Sequence, residues 1–212
     1  MQIQPAMVLR CSACGNFMYM ITRGSGWSWL AVFWTDGMVA AGKSVGDPKL
    51  AVCPHCKTLH WTESLEKQGE VHCAEQVWED GRKTLLCSLP SVKDYRSLLG
   101  NGVTGTRERD ARVGLMWKYN DQRRRESSKA PGPSTAEREN LVALARILDE
   151  EAGGALLLKA EIMRELGRFT DARTLLKRSP AGGDPELREA IDRLSRAGDT
   201  RVRKIDRHLH HR

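Results

Sequence analysis

The sequence predicts an α+β protein, with short antiparallel strands in the first 90 residues and helices through most of the rest. Three observations carry this. Two Cys-x2-Cys couples, Cys11-Ser-Ala-Cys14 and Cys53-Pro-His-Cys56, stand within the first 56 residues. Around them, runs of β-forming residues are cut at short intervals by Gly, Asp-Gly and Pro. From Ser91 onward apolar residues recur at i, i+3, i+4 and i+7, the period of an amphipathic helix.

Taken in order, Met7-Val-Leu-Arg-Cys11 is an apolar run leading into the first couple. Gly15-Asn16 follows Cys14, as suits a tight turn that needs positive φ. Phe17 to Ile21 and Trp27 to Trp34 read as strands, the second ended by Asp36-Gly37, a hairpin signal. Trp27 and Trp29 share a strand face with Ala31. Gly42, Gly46 and Pro48 mark a loop, and Leu50-Ala-Val52 enters the second couple much as Val8-Leu9 enters the first. Leu59 to Trp61 continues as strand, residues 62–69 suit a short helix capped by Thr62, and Thr84 to Leu89 suits a strand.

Val92, Tyr95, Leu98 and Leu99 begin the helical part, with Gly100 as a stop. Thr106 suits the N-cap of a helix reaching about Glu126, its stripe formed by Ala111, Leu115 and Tyr119. Pro131-Gly-Pro133 lies in a linker. Ser134 or Thr135 then starts a helix carrying Leu141, Leu144, Ala145 and Leu148. Gly153-Gly154 separates it from a helix over 155–166, Gly167 makes a turn, and Thr170 caps a helix to about Arg178. Asp184 with Pro185 at the first helical position opens a last helix, ended by Gly198.

The cysteine spacing carries the sharpest chemistry. Two residues between paired cysteines let both sulfurs converge, and backbone N–H groups point at them and soften their charge. Cys11, Cys14, Cys53 and Cys56 together fill a tetrahedral Zn²⁺ shell and leave no open position for water, which suits a structural rather than a catalytic ion. Two other readings compete. Cysteines can serve as small buried residues, but paired spacing argues against that. Cys53-Pro-His-Cys56 can be a redox couple, a thiol oxidoreductase site, but no long helix follows it and Cys11 and Cys14 go unexplained. His55 reads as a solvent-facing residue of the turn. His60, His72, Cys73 and Cys87 match no ligand spacing, and Cys73 and Cys87 read as core thiols.

Charge is uneven. Residues 1–90 carry eight Lys/Arg and eight Asp/Glu, so the net +7 of the chain arises after them. Residues 107–126 hold seven bases against four acids and residues 201–212 five against one. Five of the six tryptophans, Trp27, Trp29, Trp34, Trp61 and Trp78, fall in the neutral part. A single-strand nucleic-acid platform would need a positive groove around them, so they read as the core of a small metal module. Asn120 with Asp121 suggests a catalytic pair, but no second carboxylate cluster or His lies at helical spacing. The arginines of 123–125 therefore read as the solvated face of an amphipathic helix, open equally to an acidic partner or RNA. Without an apolar run long enough to span a bilayer, a secretory signal or a need for disulfides, a cytoplasmic location with reduced thiols is expected.

Leu156 to Leu176, through Ala160, Gly167, Phe169 and Ala172, resembles one tetratricopeptide repeat. The whole order of features resembles bacterial proteins that join an N-terminal zinc-ribbon-like region to C-terminal tetratricopeptide-like helices. The residues that carry this are the two couples, Phe33-Trp-Thr-Asp-Gly37, Trp117-Lys-Tyr-Asn-Asp121, Glu165-Leu-Gly-Arg-Phe169 and Ala197-Gly-Asp-Thr-Arg-Val202. The resemblance implies a metal-held scaffold and no particular reaction. The expected organisation is a zinc-ribbon-like antiparallel β module over 1–90, a helical bundle over 91–200 with a tetratricopeptide-like hairpin at 155–178, and a basic tail over 201–212. The expected function is a non-enzymatic adaptor with structural Zn²⁺ that binds a protein partner through its helices. A nucleic-acid-binding regulator using helix 107–126 and the tail is the alternative.

Overall fold

The structure, a computed structural model, describes residues 5–21, 31–41, 44–45, 48–72, 84–125, 132–148, 153–180 and 183–205. The expected strand face of Trp27 and Trp29, together with Cys73 and Trp78, lies outside them. The chain is α+β and divides into two compact units. The first comprises residues 1–31 and 40–94, the second 32–39 and 95–212. Eight residues of the tryptophan-rich region thus belong with the helices rather than with the cysteines.

In the first unit, β1 (Pro5–Arg10), β2 (Phe17–Ile21), β8 (Glu66–His72) and β9 (Leu85–Leu86) form a sheet in the order β8-β1-β2-β9. β1 is antiparallel to both neighbours, and β9 runs parallel to β2. A central strand buries both faces, so Ala6 and Val8 pack with Phe17 while Leu9 packs with Met18, Ala51 and Leu65. Two further pairings belong here: β4 (Val39–Ala41), whose first residue falls in the second unit, pairs with β5 (Ser44–Val45), and β6 (Leu50–Val52) pairs with β7 (Leu59–Trp61). The helix expected over 62–69 is a single 3-10 turn, Thr62–Ser64, and the chain then enters β8. β1 offers that segment a free ladder edge, and long-range pairing outweighs the local capping signal.

The second unit holds β3 (Val32–Trp34), then α1 (Val92–Gly100), whose first residues lie before the unit boundary, α2 (Gly105–Arg125), α3 (Thr135–Ile147), α4 (Gly153–Glu165), α5 (Phe169–Arg178), α6 (Pro185–Arg196) and β10 (Lys204–Ile205). Several boundaries follow from capping chemistry. Ser134 and Glu137 form a reciprocal capping box at α3, and Asp184 caps α6 by accepting from Leu187 N–H with Pro185 behind it. Gly167 and Gly198 adopt positive φ and close α4 and α6 with paired backbone bonds, Arg168 N–H to Met163 O and Asp199 N–H to Leu194 O. Gly153-Gly154, expected to lie before α4, is instead its first turn, and α5 starts at Phe169 rather than after a Thr170 cap.

The core of this unit runs through α3 to α6, where Leu144, Ala160, Ile162, Ala172 and Ile191 are fully buried. Ala160 and Ala172 are the small residues that let α4 and α5 pack closely. Gly114 plays that part in α2, for a Cβ there would stand 2.5 Å from the Tyr95 ring of α1. The expected basic tail begins as ordered structure. Val202 and Ile205 are buried, and β10 pairs antiparallel with β3, Lys204 opposite Trp34 and Ile205 opposite Phe33. Residues 206–212 lie outside the described ones.

Candidate metal centre

Each cysteine couple occupies the turn of an antiparallel hairpin, Cys11 and Cys14 between β1 and β2, Cys53 and Cys56 between β6 and β7. The two turns repeat one another bond for bond. Cys11 N–H donates to Asn16 O and Cys11 O accepts from Gly15 N–H; Cys53 N–H donates to Thr58 O and Cys53 O accepts from Lys57 N–H. Closing such a turn requires positive φ at its fourth residue after the cysteine. Gly15 supplies it at +72°, and Lys57 adopts it at +63°. Lys57 is held there by its Nζ, which donates to Pro54 O at 2.7 Å.

The turns bring the four sulfurs together within 4.8 Å of one another. Cys11 Sγ lies 3.7 Å from Cys56 Sγ, and Cys14 Sγ lies 3.8 Å from Cys53 Sγ. These are not disulfides, whose sulfurs sit about 2.05 Å apart, and all five described cysteines are free thiols. They match the edge of a tetrahedron whose centre lies about 2.3 Å from each sulfur, which is about 3.8 Å. The donor set therefore fits a tetrahedral ion such as zinc.

Polar groups around the sulfurs suit thiolate. In each couple the N–H groups two and three residues on, Ala13 and Cys14 or His55 and Cys56, point at the first sulfur. Asn16 Nδ2 donates to Cys14 Sγ at 3.4 Å, and Thr58 Oγ1 stands 3.2 Å from Cys56 Sγ. The Thr58 hydroxyl brings the Cys56 thiol down to about 6, whereas burial pushes Cys11 up to about 12 and raises Cys53. Cys11 and Cys53 face the core while Cys14 and Cys56 are exposed, so the cluster has an outer side by which an ion can enter.

His60 is the neighbour that spacing did not reveal. It is buried on β7, with Nε2 3.2 Å from Cys11 Sγ and Nδ1 3.4 Å from Ser12 Oγ. Its partners stand 49 and 48 residues away in sequence, so only the pairing of hairpins could expose the contact. His55 is exposed, and its Nε2 donates to Phe17 O at 3.2 Å. Cys87 is a buried core thiol packed with Cys11 and Cys53, raised to about 11 by burial.

In the second unit Arg123 and Arg124 overturn the solvated-face expectation, while the side chain of Arg125 lies outside the described ones. Arg124 is 6 % exposed, pairs with Asp36 and Asp121, and stacks 5.5 Å from the Trp34 ring centre. Arg123 donates to Asn120 Oδ1 and Glu137 Oε1, both at 2.7 Å. Arg109 pairs with Asp110, Arg112 with Glu108 and Lys118 with Asp121, so these cations of α2 are already matched.

Asn120, beside Asp121 on α2, stands in a setting that the sequence does not signal. Asn120 Nδ2 lies 3.0 Å from Asp36 Oδ2 and 3.2 Å from Glu165 Oε2. Arg164 donates to Glu161 from Nε at 2.8 Å and from its NH2 group at 2.5 Å, and also reaches Thr35 Oγ1 and the Asp199 carbonyl. Asp36, Glu161 and Glu165 are 0 %, 0 % and 2 % exposed, so these carboxylates are sealed from substrate. Burial, with Glu161 and Asp36 nearby, pushes Glu165 up to about 8. Asp36 stands in the turn expected at Asp36-Gly37 and is also the centre of this network, its carbonyl accepting from Trp117 Nε1 at 3.0 Å. Glu161, Arg164 and Glu165 share a helical face with Leu157 and Ala160, a polar intrusion on an apolar stripe that could have flagged them.

No helix among the described residues is long and apolar enough to cross a membrane. Comparison of the chain with protein-family models, curated proteins and solved structures finds no match in any of the three.

Proposed function

We propose that the protein is a non-enzymatic scaffold in which Cys11, Cys14, Cys53 and Cys56 hold a structural Zn²⁺ and the helical unit binds a protein partner. The observation that carries the metal assignment is the pair of 3.7 and 3.8 Å sulfur separations within a cluster of four thiols. A closed four-sulfur shell has no position for substrate or activated water, so the ion's work is to fasten two hairpins. The first unit has need of a fastener. Its cysteine-side core consists of Leu9, Met18, Ala51, Leu65 and three thiols, and so small a core is commonly supplemented by a metal.

The redox alternative at Cys53 and Cys56 receives no support from this geometry, because the couple turns between two strands rather than opening a helix. Against the nucleic-acid alternative, five cations of α2, Arg109, Arg112, Lys118, Arg123 and Arg124, are engaged in internal ion pairs. Partner binding through tetratricopeptide-like helices rests on the α4–α5 hairpin and its buried Ala160 and Ala172.

The test is metal analysis of protein purified without a polyhistidine tag. One zinc per chain is expected, lost in Cys14→Ser and Cys56→Ser, whose exposed positions perturb packing least. Metal-free folded protein, or zinc retained in both variants, would overturn the assignment.

A further inference from the structure

We infer that the four-thiol site is also a peroxide-responsive fastener, in which oxidation replaces the ion with two disulfides that join the hairpins, Cys11 to Cys56 and Cys14 to Cys53. This deepens the metal reading of the same site and rests on it. Each pair sets an exposed thiol of one hairpin against a buried thiol of the other. Cys14 and Cys56 are exposed, whereas Cys11 and Cys53 are 1 % and 0 % exposed. Cys56 Sγ stands 3.7 Å from Cys11 Sγ, and Cys14 Sγ stands 3.8 Å from Cys53 Sγ. Each pair therefore needs to close by only about 1.7 Å to reach the length of a disulfide bond.

Peroxide needs no open position on the ion, only a sulfur that solvent reaches. The exposed sulfur attacks one peroxide oxygen; the O–O bond breaks, hydroxide leaves, and the cysteine becomes a sulfenic acid. The buried thiolate facing it then attacks that sulfur, forming the S–S bond and expelling a second hydroxide. Both hydroxides take protons from solvent and become water, so two sulfurs give two electrons to one peroxide. The second pair consumes a second peroxide in the same way, and the site keeps no thiolate to hold the ion.

The pairing follows from what the fold needs. A disulfide within either couple would bridge a turn already closed by its own backbone bonds, Gly15 N–H to Cys11 O and Lys57 N–H to Cys53 O. It would also leave the two hairpins unjoined. The links between hairpins span 45 and 39 residues of sequence, and a cross-link over a longer loop removes more freedom from the unfolded chain. Stability of the bond and stability of the fold are linked, so a unit with so small a cysteine-side core favours the links that hold it together.

The experiment treats the zinc-loaded, tag-free full chain with hydrogen peroxide. Expected is loss of the zinc for about two peroxides consumed, read with a chromophoric chelator, and its rebinding once a thiol reductant is added. A 1,3-dione that traps sulfenic acid should label Cys14 and Cys56 rather than Cys11 and Cys53. Trypsin cleaves after Arg10, Arg23, Lys49 and Lys57, so without reductant the peptides 11–23 and 50–57 should be recovered as one linked species. Partial reduction with alkylation, followed by fragmentation, should assign Cys11 to Cys56 and Cys14 to Cys53, and Cys87→Ala should give the same links. Disulfides within the couples or to Cys87, zinc retained through excess peroxide, or irreversible oxidation without links would overturn the proposal and leave the metal assignment standing. Protein that carries no zinc before peroxide is added would overturn both.

Discussion

Replacing Glu165 by Gln should change how the stability of the helical unit depends on pH. In the unfolded chain this carboxyl titrates near its ordinary 4.5, whereas in the fold it keeps its proton to about 8. The cause is first its burial, then the neighbouring Glu161 and Asp36 carboxylates. A raised carboxyl favours the fold most while it is protonated in both states, below about 4.5. That contribution is lost as pH rises toward 8, because the unfolded chain has released a proton that the fold still binds. The loss amounts to about 1.4 kcal/mol per pH unit across the window, or a few kcal/mol in all. Gln cannot ionise, and its carbonyl oxygen can still accept from Asn120 Nδ2, which now lies 3.2 Å from the carboxylate.

The stability difference between Glu165→Gln and the native protein should therefore climb from about pH 5 to about pH 8 and then level off. Any packing penalty of the amide is independent of pH and moves that curve without tilting it. Urea unfolding followed by far-UV circular dichroism, at matched ionic strength, measures the difference. A flat line, or one that falls with pH, would refute the idea that Glu165 is held protonated among buried carboxylates.

Other perturbations probe separate parts of the account. Gly114→Ala should destabilise the helical unit by ~1–3 kcal/mol through overpacking, because the new methyl meets Tyr95 at 2.5 Å; thermal unfolding at least as late as the native protein's would contradict that crossing. His60→Ala should weaken zinc by about 10- to 100-fold, the usual cost of losing a group that hydrogen-bonds a ligand, as read by competition with a chromophoric chelator. Unchanged affinity would show the 3.2 Å contact to Cys11 to be incidental. Cys87→Ala should leave the zinc stoichiometry at one per chain and cost ~1 kcal/mol of stability as a small buried cavity, whereas lost metal would make Cys87 a ligand.

How far the sequence could be read depended on the range of the forces involved. Caps and glycine stops are local, and Ser134, Asp184, Gly167 and Gly198 stand where spacing placed them. The cysteine couples were legible because each is a short motif that sets its own turn, while their meeting within 4.8 Å depends on how the two hairpins pack. Residues 62–69 were misread because the partner strand that recruits them, β1, lies more than fifty residues earlier. The same limit hid the place of Val32–Val39. Its Asp36-Gly37 turn was plain, but nothing local signals that Arg124, Asn120 and Trp117 converge on Asp36 from 84 to 88 and 81 residues away. Arg123 and Arg124 looked solvated for that reason. Their burial depends on acids, Asp36 and Glu137, that other segments supply.

X-ray absorption at the zinc edge on tag-free protein reads the four-thiolate site itself. A single shell of four sulfur scatterers at about 2.3 Å is expected, with no nitrogen or oxygen in the first coordination sphere. A first shell containing imidazole or water, or fewer than four sulfurs, would contradict it.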